Sequence, residues 1–428
     1  MKITRTAEKI NLKHVLDIAV DVHKDTLCFY FEMDGIEYSD ECRNRTPAIE
    51  KKLQSYHAIA RENSRRSLRV ICEPTGQYQN CLFRTARRLG FLTCFVNAEA
   101  VAKFRVVETN DTGKTDKKDP RVIGTLGSLN KVIRFRLLGE EYLMLRKLHK
   151  IYDDIDVSIT SLRCRVNKLL VELFCDYSFK KDFLYGNSGR ALVDQYGCNP
   201  YRIVADGFET FSRRMKMSVP RIRTQTLKRL WEDAESSVLN ELPSGYVGKL
   251  EQHLYWLMED FLRQGERKTE VVNEMKAILA RLRGKDPSIP PPTPQVISEK
   301  NLARLLAETG PLGDFHHWRK LMRYAGLNIR MRQSGKFMGQ NKITKKGRPL
   351  LRKVLHQIAL PLVRKKSLYG TVYHHKKESE KRPGNVAMTI VSRQLLKKIY
   401  GWARSGESFD EKRFFTCRTR YMKLSEVA

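Results

Sequence analysis

Residues 15–38 read VLDIAVDVHKDTLCFYFEMDGIEY, and this stretch decides the fold of the N-terminal part of the chain. Its first seven residues form a short apolar run that ends in an acid, which predicts a strand. The remainder predicts two strands joined at Asp34 and Gly35, because an Asp-Gly pair between apolar runs favours a tight hairpin turn. The expected start of the fold is therefore one strand followed by a β-hairpin.

The elements that follow the hairpin alternate between helix and strand. Helical patterns run from 47 to 63 and from 78 to 90, and short apolar runs at 68–73 and 91–97 predict two further strands. Three early strands followed by alternating helices and strands indicate a ribonuclease-H-like α/β domain over residues 1–135.

Two long heptad seams occupy the middle of the chain, and they predict a coiled-coil region over residues 136–286. The second seam runs from Val247 to Leu282 and slips at Gln264 and Lys268. The seams could pack on each other as an antiparallel hairpin or on the same helices of another subunit, and the pattern leaves both open. Residues 177–246 between them are expected to be an inserted helical segment. The first seam consists of Leu145, Leu148, Tyr152, Ile155, Ile159, Leu162, Val166, Leu169 and Leu173.

A proline-rich stretch, PSIPPPTP at residues 287–294, cannot hold a helix and is interpreted as a linker. A mainly helical C-terminal domain is therefore expected over residues 287–428. The predicted fold class is α/β plus all-α, with the long helices and their insertion between the two domains.

Composition points to a polyanionic partner. The chain has 80 Lys and Arg residues against 48 Asp and Glu residues, a formal net charge of +32 over 428 residues. Such an excess favours nucleic acid. No apolar run approaches the ~18 residues of a membrane span, and the polar N-terminus carries no targeting signal, so a cytoplasmic location is expected. The nine cysteines include no CxxC pair, which argues against a disulfide framework or a zinc ribbon.

Four carboxylates stand where a sheet edge and one helical face would bring them together. Asp21 ends the first strand, Glu73 ends a later one, and Asp116 and Asp119 lie three residues apart. Such a cluster repels itself unless cations occupy it, and Mg²⁺ prefers carboxylate oxygens, waters and substrate phosphates. Acids are common, however, and Asp17, Asp25 and Asp111 lie close by, so spacing alone leaves the metal site and plain surface charge both open.

Three motifs at these positions resemble the DEDD transposases of the insertion-sequence family IS-one-ten, which also includes the Piv-type invertases. They are AVDVHKDTL (19–27), CEPTGQY (72–78) and KTDKKD (114–119). The resemblance implies a RuvC-like domain in which Asp21, Glu73, Asp116 and Asp119 are catalytic acids that bind Mg²⁺. His23 departs from the pattern, since the family often has a small residue there. A histidine at this position could contact a metal-bound water, but a polar loop residue is the preferred interpretation.

The segment LMRYAGLNIRMRQSGKFMGQNKITKKGRPLLRKVL (321–355) resembles the second hallmark of this family. The resemblance implies Ser334 as a catalytic nucleophile, which needs a base or a metal to activate it and cations to neutralise the attacked phosphate. A Ser-Gly turn in a DNA-contacting loop is the alternative, and Tyr324 is a rival nucleophile better explained by packing. The expected nucleic-acid-binding cations are Arg330, Arg332, Lys336, Lys345, Lys346 and Arg348.

The tail also resembles the family, over residues 381–414. One departure is the absence of the Ile-Pro-Gly-Ile-Gly hairpin that many relatives carry before the Leu-Leu-Ala-Glu helix. The sequence therefore leaves open whether a helix-hairpin-helix grip on DNA is present near 287–300.

The resemblance implies an RNA-guided recombinase. Its RNA, the bridge RNA, would pair with target and donor DNA, and strand exchange would require a dimer or tetramer. Two alternatives remain: a RuvC-like junction nuclease that cuts with metal-activated water, and a non-enzymatic basic scaffold.

Overall fold

A computed structural model of the protein describes residues 14–109, 118–180, 182–286, 289–293, 296–330, 333–334, 337–339, 342–364 and 367–405. The chain divides into two compact units, residues 1–137 and 138–428. None of the helices in these ranges combines the length and the apolar character that a membrane span requires.

The described part of the first unit is built on a mixed six-stranded sheet with the strand order β3-β2-β1-β4-β5-β6. β1 is antiparallel to β2, and β2 is antiparallel to β3, whereas β1, β4 and β5 run parallel to one another. The strands are β1 (Val15–Val22), β2 (Thr26–Met33), β3 (Ile36–Arg43), β4 (Ser67–Cys72), β5 (Leu92–Phe95) and β6 (Ile133–Arg134).

Helices cover both faces of this sheet. α1 and α2 bury one face, with Leu53 and Phe83 in a core that includes Ile18 and Val70 of the central strands. α3 and α4 bury the other face, in a core that contains Ala19 of β1 and the other apolar strand residues that point to this side. The helices are α1 (Thr46–Glu62), α2 (Gln79–Arg88), α3 (Ala98–Thr109) and α4 (Lys118–Ser128).

The elements predicted for this region agree with the structure. The first strand, the hairpin at Asp34 and Gly35, and the two later strands with their preceding helices all appear at the expected places. An antiparallel meander that continues into parallel strands is consistent with the ribonuclease-H-like expectation.

The second unit begins with a long helix that pairs with another long helix far along the chain. The start of α5 packs on the end of α10, with Leu145 near Ile278, and the end of α5 packs on the start of α10, with Val166 near Leu254. The two predicted seams therefore face each other within one chain. The helices are α5 (Glu140–Leu173) and α10 (Ser244–Lys285).

The slip in the second seam has a physical cause. Lys268 places its Nζ atom 2.6 Å from Oδ1 of Asp156 on α5, and it lies 4.9 Å from the centre of the Tyr152 ring. A polar pair thus takes the place of an apolar contact where the heptad pattern breaks.

Four short helices form the predicted insertion between the long ones. They share a hydrophobic core with the end of α5 and the start of α10, so the insertion is part of the second unit. The helices are α6 (Asn187–Tyr196), α7 (Pro200–Asp206), α8 (Phe208–Ser218) and α9 (Thr224–Val238).

The C-terminal region is mainly helical and carries two small hairpins. Its core is continuous with that of the long helices, and Ile289 of the proline-rich stretch and Val296 just after it are buried in this core. The expected linker at 287–294 therefore does not separate two cores. The elements are α11 (Glu299–Thr309), α12 (Trp318–Tyr324), β7 (Ile329–Arg330), β8 (Gln333–Ser334), β9 (Phe337–Met338), β10 (Lys342–Ile343), α13 (Pro349–Arg364), α14 (Leu368–His374) and α15 (Gly384–Ser405).

Candidate active site

Asp21 and Glu73 lie side by side at the ends of neighbouring parallel strands. Val20 of β1 is in register with Cys72, the last residue of β4. The residues that follow them are Asp21, still in β1, and Glu73, directly after the end of β4, and they therefore lie at the same end of the two strands. Adjacent strands are about 4.8 Å apart. The predicted convergence of these two acids is therefore supported by the strand register.

The face of the sheet that carries these acids is the one covered by α4. Side chains alternate along a strand, so Asp21 shares its face with Ala19 and Asp17. Ala19 belongs to the core formed with α4, whereas Ile18 and Val20 point into the core on the other side. Asp21 is 7% exposed, which leaves its carboxylate nearly enclosed.

α4 brings Asp119 to the same edge. A Cβ atom on Gly124 would lie 3.6 Å from Cβ of Ala19, and one on Gly127 would lie 3.1 Å from Oδ2 of Asp17, so the helix runs antiparallel to β1. From Gly124 back to Asp119 is about 7.5 Å along the helix, and from Ala19 to Asp21 is about 6.6 Å along the strand. A Cβ at Gly127 would stand 2.7 Å from Cδ1 of Ile71, so a larger residue there would require the Ile71 side chain to shift.

Asp119 and Asp21 each contact a basic side chain. Arg105 of α3 contacts the carboxylate of Asp119, with Nε 2.8 Å and Nη2 2.5 Å from Oδ1. Nε2 of His23 lies 3.2 Å from Oδ2 of Asp21. The histidine interpreted as a plain loop residue is thus in direct contact with a predicted catalytic acid.

The pKa of the Cys72 thiol is consistent with Asp21 and Glu73 lying close to each other. Burial raises the pKa of the Cys72 thiol, and the negative charges of Asp21 and Glu73 raise it further. Both carboxylates therefore act on the same group.

The neighbouring acids have other roles. Asp17 accepts hydrogen bonds from Arg69 at 2.7 Å and 2.5 Å, and Arg69 is 5% exposed, so this pair is part of the interior of the domain. Asp25 is exposed in the turn before β2. The structure thus distinguishes Asp21 from Asp17 and Asp25, whereas Asp111 lies outside the described residues.

The residues at this edge fit a divalent cation by their chemistry, since carboxylate oxygens are the donors that Mg²⁺ prefers. Among the described residues, no group of three or more His, Cys, Asp or Glu side chains is placed so that it could hold a metal ion. Asp116 lies outside the described residues, so three of the four predicted acids can be placed.

The predicted nucleophile lies on a small hairpin in the second unit. Ser334 in β8 pairs with Phe337 in β9. In sequence, this hairpin lies between the two strands of a second hairpin, in which Ile329 of β7 pairs with Ile343 of β10. Only the backbone of Ser334 is described. Arg332 and Lys336 lie outside the described residues.

The two ends of this serine loop, residues 324–348, are fastened together at its base. The backbone N–H of Arg348 donates to the carbonyl of Tyr324 at 3.1 Å, and that of Lys345 donates to Gly326 at 3.0 Å. A Cβ on Gly347 would stand 2.4 Å from the Tyr324 carbonyl oxygen, so the two chain segments at the base can approach this closely because residue 347 is glycine.

A buried carboxylate holds this base to the rest of the unit. Glu308 of α11 is 1% exposed, and its Oε2 accepts a hydrogen bond from Nε of Arg348 at 2.6 Å. Its Oε1 lies 3.1 Å from Nδ1 of His149 on α5, which is fully buried. Arg146, one helical turn earlier, donates to the backbone carbonyls of Ala307 and Glu308 at 3.0 and 3.1 Å. The base of the serine loop is thereby joined to both α11 and the long helix α5.

The predicted phosphate-binding cations differ in their surroundings. Arg330, Lys345 and Lys346 are exposed. Arg348 is half-buried, and its pair with Glu308 gives it a clear role in fixing the loop. Binding of nucleic acid by these residues stays a prediction.

Tyr324, the rival nucleophile, is used for packing and hydrogen bonding. Its hydroxyl donates to the carbonyl of Glu308 at 3.2 Å and accepts from Arg146 at 3.4 Å, and its ring meets Phe315 edge to face. These contacts support the packing assignment.

Sequence reasoning missed the His149–Glu308–Arg348 cluster. A signal was present, because Arg304 and Glu308 stand four residues apart in α11, a helix whose residues from Leu302 to Thr309 are all buried. Charges in such a helix need buried partners.

Two family models match the chain, and their positions coincide with the two candidate sites. A DEDD model described as "Transposase" matches residues 18–175, and the model described as "Transposase IS116/IS110/IS902 family" matches residues 293–374. The chain belongs to the IS110 transposase family. The transposase is therefore an enzyme that acts on DNA, and a DEDD domain implies a divalent metal. No curated protein matches the chain.

The matches divide the predicted site residues between them. Asp21, Glu73 and Asp119 fall in the first match, and Ser334 falls in the second, which also contains the unpredicted Glu308. Residues 176–292, with the inserted helices, lie outside both.

Replacing Glu308 tests the buried cluster. Burial alone would raise the pKa of Glu308, but the hydrogen bonds from His149 and Arg348 outweigh it and lower the pKa to about 2. We expect Glu308→Gln to reduce the free energy of unfolding by about 3 kcal/mol at pH 7, because Arg348 loses its buried partner. Urea unfolding followed by circular dichroism measures this.

The pH dependence of the effect follows from the lowered pKa. A carboxyl group that titrates lower in the folded state contributes stability above its unfolded pKa, near 4.5, and loses it as the pH falls toward about 2. The difference between wild type and Glu308→Gln should therefore shrink across this window. Glu259→Gln is the matched control, since the exposed Glu259–Arg263 pair should contribute less than about 1 kcal/mol. An equal loss at pH 7 and pH 3 would contradict the role of ionised Glu308.

Proposed function

We propose that the transposase is an RNA-guided DNA recombinase that excises and inserts a mobile element through a covalent phosphoserine link. The observation that carries this proposal is the serine loop, whose base is fastened at Tyr324–Arg348 and joined to buried Glu308. A loop fixed in this way can hold a nucleophile at a constant position relative to bound DNA, which reduces the entropic cost of attack.

The chemical step assigned to Ser334 is a transesterification. Its Oγ attacks a DNA phosphorus, one P–O bond forms to serine, and one P–O bond to the leaving strand breaks. The serine hydroxyl gives up a proton and the departing oxygen gains one. Since a phosphodiester replaces a phosphodiester, the linkage keeps the energy needed to rejoin strands in a new order. The exposed cations Arg330, Lys345 and Lys346 neutralise the phosphate charge.

The acids Asp21, Glu73 and Asp119, together with Asp116, would hold Mg²⁺. When bound, Mg²⁺ stabilises negative charge on phosphate oxygens during strand transfer. The enclosed position of Asp21 and the contact of Arg105 with Asp119 support this assignment, because both acids are held in fixed positions at the sheet edge.

Assembly into a dimer or tetramer is part of the proposal, because strand exchange needs paired active sites. The heptad seams of α5 and α10 already face each other within one chain. A second subunit would therefore have to use other surfaces of these helices.

Guidance by RNA is tested on the full-length protein. We expect one defined RNA, identified by sequencing the nucleic acid that copurifies, to bind at least about 100-fold more tightly than a scrambled RNA of equal length and composition. Filter binding at a fixed salt concentration measures both, because the charge of +32 alone would bind them equally. Equal affinities would exclude guidance and favour the basic scaffold.

A further inference from the structure

The inserted segment, residues 177–246, has its charges separated along the sequence. From 210 to 231 it contains seven Lys and Arg residues and no acid, whereas the rest of the segment contains four basic and eight acidic residues. This separation is not explained by the overall positive charge of the chain, because the remainder of the insertion is acidic.

The fold gathers the basic stretch at one place, the end of the α8–α9 pair. Ile222, in the turn between these helices, is 8% exposed and belongs to the core of the insertion. Arg221 and Arg223, on either side of it, are exposed. Ile222 thus anchors the turn while its two neighbours extend into solvent.

The helices that flank the turn present further cations. On α8, Phe211 and Met215 are buried, and Arg213 and Lys216 are exposed. Lys228 is exposed on the first turns of α9. We call the five exposed residues the basic turn: Arg213, Lys216, Arg221, Arg223 and Lys228.

Local partners account for the other two cations of the stretch. Arg214 lies 2.9 Å from Asp206, and Arg229 donates to the hydroxyl and carbonyl of Ser178 at 2.7 Å. Within the part of the chain that the structure describes, no carboxylate forms an ion pair with the basic turn. Five like charges without compensation repel one another, and a polyanion would relieve that repulsion.

We propose that the basic turn binds the phosphate backbone of duplex DNA. Three of its five cations are arginines, whose planar guanidinium groups match phosphate oxygens in bidentate hydrogen bonds. DNA is the occupant because it is the substrate of the transposase. The surface lies outside both family matches, so it adds a contact to the machinery shared by the family.

This DNA contact is independent of Ser334 and of RNA guidance, so it is tested by binding alone. The variant Arg213→Gln/Arg221→Gln/Arg223→Gln removes three positive charges from exposed side chains. The control Lys150→Gln/Lys249→Gln/Arg263→Gln removes the same charge from exposed residues that contact neighbours on their own helices, namely Asp154, Gln252 and Glu259. Fluorescence anisotropy with full-length protein and a duplex DNA, over a series of salt concentrations, gives the affinity and its salt dependence.

Each phosphate contact contributes about 0.9 to the slope of log affinity against log salt for duplex DNA. We expect the basic-turn variant to lower the magnitude of this slope by about 2 to 3, and the control to leave it unchanged. The charge-preserving variant Arg213→Lys/Arg221→Lys/Arg223→Lys should keep most of the slope, which separates lost contacts from misfolding. Equal slopes for the two glutamine variants would overturn the proposal. Weakened binding of duplex RNA with unchanged DNA binding would also overturn it, because the surface would then hold RNA.

Discussion

Ser334→Ala should abolish both strand exchange and the covalent protein–DNA adduct, a loss of at least about 1,000-fold, while leaving nucleic-acid binding intact. The serine hydroxyl is the only part of the side chain that can form the new P–O bond, so its removal leaves no path to the adduct. Binding should persist, because one hydroxyl contributes little beside the many cationic contacts of this chain. A nicked DNA substrate traps the adduct, and denaturing gel electrophoresis detects it.

Two further variants sharpen this test. Ser334→Cys should retain a trace of adduct, since a thiol is nucleophilic but differs in size and in its affinity for Mg²⁺. Tyr324→Phe should retain the adduct almost fully, because its hydroxyl is engaged with Glu308 and Arg146 at the base of the loop. If Ser334→Ala cuts DNA at the normal rate in the presence of metal, water is the attacking group. The protein would then work as a junction nuclease in its cleavage step.

The N-terminal fold could be predicted because its signals are local. Strand β1 is an apolar run, and the hairpin that follows is set by Asp34 and Gly35. Parallel strand ends share an edge, so the neighbouring positions of Asp21 and Glu73 followed from the order of the elements alone.

The buried cluster of the second unit could not be predicted in the same way. His149 and Glu308 are 159 residues apart, and Arg348 is a further 40 residues away. In sequence, Arg348 is one of several cations in a basic loop, and nothing local distinguishes it from Lys345 or Lys346. Its role depends on a tertiary contact that only the packed core creates.

The proline-rich stretch shows a second limit of local patterns. Prolines predict the end of a helix correctly, and α10 does end at Lys285. They do not predict a domain boundary, because Ile289 and Val296 still bury their side chains in the core shared with α5 and α11. Whether a segment separates two domains depends on whether its side chains are buried in a core that continues on both sides of it. Amino-acid composition alone does not show this.

Asp21→Asn should abolish Mg²⁺-dependent DNA cleavage, with a loss of at least about 100-fold, and should also remove the stabilisation that Mg²⁺ gives to the folded protein. Asparagine keeps the shape of the side chain and removes its charge. A ligand that binds only the folded state raises the melting temperature, so wild type should melt at a higher temperature in Mg²⁺ than in EDTA. The variant should show little of this shift. Differential scanning fluorimetry measures it without any need for activity.

Two other acids serve as controls, because the structure gives them different roles. Asp25→Asn, at an exposed position four residues from Asp21, should keep both the cleavage rate and the Mg²⁺-induced shift. Asp17→Asn should lower the melting temperature with or without metal, because Arg69 would lose its partner in the interior. In Asp21→Asn without metal, by contrast, stability should change little, since the removed charge belonged to a cluster of like charges. Wild-type cleavage together with a full Mg²⁺ shift in Asp21→Asn would show that the metal is held elsewhere, and the sheet edge would then be only a charged surface.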